Sequence, residues 1–186
     1  MDEASDRLAL RVGAATVSFR AWDGDRRPFY HFALLVPGDR FRAAHAWTRD
    51  RVELLSSPHD PGCTVFAFDA WEAEACYFHD PAGNIVELIA HHGVGDTDDP
   101  DAPFSPRELI GVSEIGIVTP GLAETAARLE RDLGVRLWDG SVEEDGPGLA
   151  FVGRKAHTLI LARVGRGWLP TGRPAEVHPV QITLTS

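Results

Sequence analysis

The sequence predicts an α+β fold made of two related halves, each with a strand, a helix and further short strands. Two β-like runs, residues 30–37 and 113–120, end in a proline and are each followed by a helical stretch. Several short apolar segments bounded by turn residues follow each helix, as is typical of strands. Because strand, helix and strands occur twice, we expect two modules of the same kind.

The helices are predicted over residues 39–51 and 121–133. In the second helix, apolar residues three or four positions apart form one stripe that would face a core. Gly134 follows directly and provides the residue that helix C-termini favour. Strands are predicted at 52–55, 64–69, 74–78 and 84–90 in the first half, and at 135–138, 149–152, 157–163 and 177–185 in the second.

An acidic, proline-rich stretch with almost no aliphatic residues divides the chain. We therefore expect a first half over residues 1–92, a linker over 93–107 and a second half over 108–186. The first half begins with a predicted hairpin at residues 8–20. This hairpin resembles residues 150–161, and each leads after a loop to a predicted strand that opens with a histidine, His31 or His178.

Composition restricts the class of protein. The chain has 186 residues and a formal net charge of −10, without any run of lysine and arginine, so nucleic acid and anionic membranes are not expected as partners. Its N-terminus is acidic and unlike a signal peptide, and no apolar run is long enough for a membrane span. We expect a cytoplasmic protein that binds a small molecule.

The most informative motif is the turn Asp80-Pro81-Ala82-Gly83 and the strand after it. Aspartate, proline and glycine stand where a type I turn favours them. In the following strand, Glu87 alternates onto the same face as Ile85 and Ile89. An ionised carboxylate on such a face costs several kcal/mol unless it is paired. A bound metal ion would explain this position. The alternative is a buried salt bridge, for instance to Arg20 or Arg163.

Two further residues can join Glu87. Aligning the halves on Pro37 and Pro120 places Glu114 at the position of His31, and strand alternation turns both away from the helices. Glu87, His31 and Glu114 would converge if the modules pack side by side. Imidazole with carboxylates suits one divalent ion among Mn, Fe, Co, Ni and Zn, and three protein ligands leave positions open for catalysis.

Plainer interpretations stand beside this one. His31 is alternatively a hydrogen-bonded structural residue, Glu114 a solvent-facing residue at a strand start, and His178 a structural histidine. Two histidines after the last strand of the first half are expected in a solvated loop, His91 and His92. Two tryptophans in predicted loops are candidates for lining a ligand pocket, Trp71 and Trp168.

The chain resembles the vicinal oxygen chelate superfamily, which includes glyoxalase I, methylmalonyl-CoA epimerase, extradiol dioxygenases, fosfomycin-resistance thiol transferases and bleomycin-binding proteins. The resemblance rests on residues 31–37, 77–88 and 112–134, and the Asp-Pro-Ala-Gly-Asn-x-x-Glu-Leu element is quite specific. It implies paired βαβββ modules that form a cup-shaped mixed sheet around one divalent metal. His31 and Glu87 match metal positions, whereas Glu114 replaces the usual histidine.

The resemblance also implies chemistry in which two substrate oxygens chelate the metal. A lyase, isomerase, dioxygenase or thiol transferase fits this scaffold, with Glu87 or Glu114 as general base. A second hypothesis is a metal-free binding protein of the bleomycin-resistance type, with an aromatic-lined cleft and often a homodimer. A third is a metal-free relic with a structural role. The strand at residues 157–163 carries no carboxylate, so at most one metal site is expected.

Overall fold

A computed structural model describes residues 6–184. The predicted acidic N-terminus at residues 1–5 and the end of the last predicted strand, Thr185, lie outside the described residues. No helix in the described range is both long and apolar enough to cross a membrane. The chain starts with an antiparallel hairpin made of β1 (Arg7–Val12) and β2 (Ala15–Arg20).

The first βαβββ module follows this hairpin. The short strand β5 and a 3₁₀ turn precede its third strand and supply aromatic residues to the interior. The elements are β3 (His31–Val36), α1 (Phe41–Arg49), β4 (Leu54–Leu55), β5 (Phe66–Phe68), β6 (Ala73–His79) and β7 (Ile85–His91).

The second module repeats the same order. Its helix ends at Leu133, and Gly134 caps it in the left-handed conformation with φ of 69°, as predicted. The elements are β8 (Gly111–Thr119), α2 (Leu122–Leu133), β9 (Leu137–Gly140), β10 (Leu149–Arg154) and β11 (His157–Arg163).

The two modules share one mixed sheet in the order β4-β6-β7-β3-β8-β11-β10-β9. Within each module the first strand pairs in parallel with the last, β3 with β7 and β8 with β11. The first strands, β3 and β8, pair with each other antiparallel and join the modules within one chain. The predicted α+β fold with paired βαβββ modules is therefore confirmed.

The sheet curves until its two ends meet. Trp71 follows β5, beside β6 at one end, and its ring centroid lies 5.1 Å from that of Trp138 in β9 and 4.5 Å from that of Phe151 in β10. Since β6 and β10 are far apart in the strand order, this contact closes the sheet into a cup. Aromatic and small residues from both modules fill the inner face, and α1 and α2 cover the outer face.

The prediction for the last strand is wrong. Residues 177–184 form no strand in the structure. The edges of β11 are already occupied by β8 and β10, so no position beside it remains for a further strand. After β11 the chain instead forms a small separate hairpin, made of β12 (Gly167–Trp168) and β13 (Arg173–Pro174), followed by an irregular segment.

The stretch between the modules is held against the first one. The buried Arg40 donates hydrogen bonds to the main-chain carbonyl oxygens of Asp99, Pro100 and Ala102 and forms an ion pair with Glu108. Burying an arginine is expensive unless its donors are paired, and here four partners pair them. This stretch is therefore an ordered part of the surface.

Candidate metal centre

Three neighbouring strands bring the predicted ligands together. Ala33 of β3 lies opposite Glu87 of β7 on one side and opposite Glu114 of β8 on the other. His31 lies two residues before Ala33 on the same face. All three side chains are buried, with His31 6 %, Glu87 2 % and Glu114 3 % exposed. Among residues 6–184 they form the one group whose ligand atoms, all within 4.8 Å of one another, can hold a metal ion.

A hydrogen bond on the edge of the His31 ring that faces away from the carboxylates fixes the orientation of the ring. Its Nδ1 lies 3.1 Å from the carbonyl oxygen of Ile85, to which it donates a hydrogen bond in the matching tautomer. Nε2 lies 3.4 Å from Oε2 of Glu87. In a neutral ring with the proton on Nδ1, Nε2 presents a lone pair towards a carboxylate oxygen. Two acceptors at this distance require a proton or a metal ion nearby.

The turn of the Asp-Pro-Ala-Gly-Asn motif fixes this geometry. The carboxylate of Asp80 accepts hydrogen bonds from the main-chain and side-chain nitrogens of Asn84 at 2.9 and 2.6 Å. The side-chain oxygen of Asn84 in turn accepts from the main-chain N–H of Tyr30, 2.9 Å away. Because Tyr30 directly precedes His31, the turn ties the start of β3 to the start of β7.

The electrostatics of the cluster favour a cation. Burial, and next the charge of Glu87, raise the pKa of Glu114 well above its usual range. Thr158 lies directly opposite Glu114 on β11 and opposes this rise in pKa, although neither its Oγ1 nor Oε1 of Glu114 meets the geometry of a hydrogen bond among the described residues. Tyr77 lies directly opposite Glu87 in the β6–β7 ladder, and burial, the charge of Glu87 and a hydrogen bond to it raise the Tyr77 pKa well above 10.0. Two carboxylates thus share one apolar pocket with a single imidazole.

These residues fit a divalent metal ion. An ion would pair the orphaned oxygen of Glu114, separate Nε2 of His31 from Glu87 and offset the two negative charges. The carbonyl of Ile85 provides the outer hydrogen bond that metal-binding histidines commonly make. Imidazole and carboxylates together suit Mn, Fe, Co, Ni or Zn.

Other predictions fare differently. Glu87 makes its ion pair with His31, and neither Arg20 nor Arg163 pairs with it in the described structure, so the arginine salt bridge is wrong. His91 is not in a solvated loop: it is the last residue of β7 and fully buried, which lowers its pKa to about 4. The next residue, His92, is exposed as predicted.

Two aromatic residues lie at the site. Trp168 lines the cavity beside His31, in agreement with its prediction as a pocket residue, and its ring centroid lies 5.0 Å from that of His31. Tyr77 was not among the predicted site residues, yet it lies directly opposite Glu87. Counting residues outward from the turn pairs Tyr77 with Glu87, so hairpin register was a signal that could have identified it. His178 lies in the irregular segment after β13, beside the rings of Phe29 and Tyr30.

No protein-family model matches the sequence, and no curated protein matches it. Solved structures do. A protein described as "putative dioxygenase from Bacillus subtilis subsp. subtilis str. 168" superposes with a TM-score of 0.50 at 14 % identity, over 79 % of this chain and 46 % of that one. A mutant glyoxalase I from Zea mays gives 0.42 at 18 % identity, over 73 % and 42 %.

Methylmalonyl-CoA epimerase from Mycobacterium tuberculosis gives a TM-score of 0.42 at 15 % identity, over 72 % of this chain and 85 % of that one. The present chain spans less than half the length of the Bacillus and maize proteins. At these identities the likeness concerns the fold. Together with the two βαβββ modules of this chain, the likeness to the Bacillus protein shows the expected α+β fold of paired modules in one mixed sheet.

Proposed function

We propose that the chain is a glyoxalase- or dioxygenase-like protein that holds one divalent metal ion through His31, Glu87 and Glu114. Its substrate would be a small molecule with two neighbouring oxygens that chelate the ion. The observation that carries this proposal is the buried, unpartnered Oε1 of Glu114 beside Glu87 and His31. Without a cation, the pair avoids burying two negative charges only by keeping a proton on Glu114, whose pKa is raised, and a divalent ion would compensate both charges instead.

The metal, when bound, supplies Lewis acidity that stabilises negative charge developing on a substrate oxygen. The residues of the chain prepare the site for this. Ile85 fixes the His31 ring through its carbonyl, and Tyr77 orients Glu87 by a hydrogen bond. The raised pKa of the Tyr77 hydroxyl keeps it protonated and able to donate at neutral pH.

Glu87 and Glu114 are also the proposed acid–base groups. Both lie on the inner face of the cup, where burial and the charge of Glu87 raise the pKa of Glu114 and favour a proton on that carboxyl group. A carboxyl group in such surroundings can accept or return a substrate proton near neutral pH. Lyase, isomerase, dioxygenase and thiol-transferase reactions are all compatible with this arrangement.

The test is metal content by plasma mass spectrometry after incubation with each of Mn²⁺, Fe²⁺, Co²⁺, Ni²⁺ and Zn²⁺ and removal of excess ion. We expect near-stoichiometric metal in the wild type and loss of it in His31→Ala, Glu87→Ala and Glu114→Ala. Glu74→Ala is the matched control, because Glu74 is a partly exposed acid on the neighbouring strand β6. A wild type that remains empty with every ion would overturn the proposal and favour the metal-free binding protein.

A further inference from the structure

The residues after β11 belong to neither βαβββ module, yet they cover the candidate metal centre. Trp168 of β12 is 4 % exposed and packs in the inner core of the cup. Its indole lies against His31 on one side and over Gly116 of β8 on the other. A Cβ atom at position 116 would stand 2.8 Å from the indole, so the side chain fits there because residue 116 is glycine.

The indole leaves little room for a ligand. A cavity beside His31 has a volume of about 10 Å³, which corresponds to one water molecule. Trp168 and Gly116 line it together with His178, whose Nε2 lies 3.3 Å from Oε2 of Glu176. A substrate that chelates through two oxygens is much larger than this space. Of the three proposed ligands only His31 lines this cavity, and the indole of Trp168 fills the space beside it through which such a substrate would approach.

The segment that carries Trp168 is attached to the modules mainly through side chains. Strands β12 and β13 pair with each other in a separate two-stranded sheet. At its far end, the guanidinium of Arg173 lies 3.4 Å from the ring centroid of Phe29 and donates a hydrogen bond to the carbonyl of Gly83. An exposed ion pair between Glu176 and Arg26 adds a weak tie. Such contacts permit local opening at a lower cost than separating strands of the main sheet.

We propose that Trp168 is the specificity-determining residue of the metal centre. With the indole in place, the site admits ligands of about the size of one water molecule. A chelating substrate binds only when the 164–176 segment moves the indole off Gly116. This inference rests on the proposed metal-binding function and adds to it a limit on ligand size.

The experiment uses Co²⁺-loaded protein and two probes followed by the visible absorption of the ion. Fluoride is a single-atom ion of about the size of a water molecule, and acetohydroxamate is a bulkier ligand that chelates through two oxygens. We expect Trp168→Ala to bind acetohydroxamate at least 10-fold more tightly than the wild type, with fluoride affinity changed less than 3-fold. Trp168→Phe, with a smaller ring, should fall between them.

Trp47→Ala is the matched control, since Trp47 belongs to α1 and packs against the outer face of the sheet. Metal content is measured for every variant before the titrations. If the wild type holds Co²⁺ and Trp168→Ala raises both affinities equally or neither, the size limit is wrong while the metal site stands. If the wild type holds no Co²⁺, the proposed function fails and the inference fails with it.

Discussion

The last strands of the two modules, β7 and β11, pair in parallel with the first strands in the same register but carry different side chains into the cup. Glu87 lies opposite Ala33 in the first module, and Ile160 lies opposite Gly116 in the second. Ala33 and Gly116 each stand four residues before the proline that follows the strand. The backbone repeats, whereas the chemistry does not. A βαβββ module is thus maintained by its apolar pattern, and a metal site depends on a few register positions.

The largest expected effect comes from introducing a second acid at the equivalent position of the second module. Ile160→Glu places a carboxylate in the inner core at a position without a histidine, because Glu114 occupies the position equivalent to His31. We expect the free energy of unfolding to fall by about 3–5 kcal/mol and no second metal ion to bind. Chemical denaturation and metal analysis measure the two effects. Ile160→Gln, which adds no charge, should lose less, and a second equivalent of metal would contradict the asymmetry.

Replacing Glu87 leaves both modules without a carboxylate at this position of the last strand. For Glu87→Gln we expect metal affinity to fall by roughly 100-fold or more, since an amide coordinates weakly and leaves Glu114 and His31 as the remaining ligands. Competition with a coloured chelator measures the affinity. Glu74→Gln should leave it unchanged. An affinity that survives Glu87→Gln would show that the ion is held elsewhere.

The ends of the same two strands predict a dependence on pH. His91 closes β7 inside the protein, whereas the equivalent Val164 follows β11 and is half exposed. Burial lowers the His91 pKa from 6.5 to about 4. The folded protein therefore binds this proton less readily than the unfolded chain, so its stabilising contribution is complete above pH 6.5 and is lost as the pH falls towards 4.

We expect this loss to be about 3 kcal/mol, measured by denaturation at a series of pH values. His91→Phe should remove most of that slope, and His59→Phe, at an exposed position, should keep it. Identical slopes in the wild type and His91→Phe would show that His91 does not cause the pH dependence.

The smallest expected effects concern the hydrogen bonds that connect the first strand of each module to its last hairpin. In the first module the side chain of Asn84 accepts a hydrogen bond from the main chain of Tyr30; in the second, the hydroxyl of Ser113 donates to the carbonyl of Ala156, 3.0 Å away. Asn84→Ala breaks bonds on both sides of the residue and should cost about 1–2 kcal/mol, whereas Ser113→Ala should cost about 1 kcal/mol.

Asn84→Ala should also weaken metal binding by about 10-fold, because the tie positions His31, while Ser113→Ala should affect it less. Thermal unfolding and the chelator competition measure the pair. Equal effects of the two variants on metal affinity would show that the Asn84 tie does not position the ligands.

Local patterns in the sequence predicted the features that depend on local chemistry. The alternation around Glu87 placed it correctly with Ile85 and Ile89, because strand faces follow from spacing alone. The helix α2 and its glycine cap agree with their apolar stripe. The alignment on two prolines placed Glu114 beside His31, since β3 and β8 pair with their equivalent segments adjacent.

Features that depend on distant contacts could not be predicted in this way. The segment 177–184 was predicted as a strand from its local pattern, but both edges of β11 are already occupied by β8 and β10. His91 stands at the end of a strand pattern, and its burial involves residues distant in sequence, since Trp71, Lys155 and His157 are close enough to affect its pKa. Trp168 lies in a glycine-rich stretch without periodicity, and its position over Gly116 is fixed by the fold of the whole chain.

The hydrogen bonds and the ion pair that Arg40 makes with residues 99–108 should hold the two modules together even if the chain is cleaved before them. Asp39 also accepts hydrogen bonds from Thr97, so the stretch from 97 onward is held to the first module independently of the peptide bonds before it. The β3–β8 ladder joins the modules by further hydrogen bonds. A single proteolytic nick at residues 93–96 should therefore leave two fragments that co-elute as one particle. The same two fragments, expressed separately, are natural partners for a split-protein reconstitution.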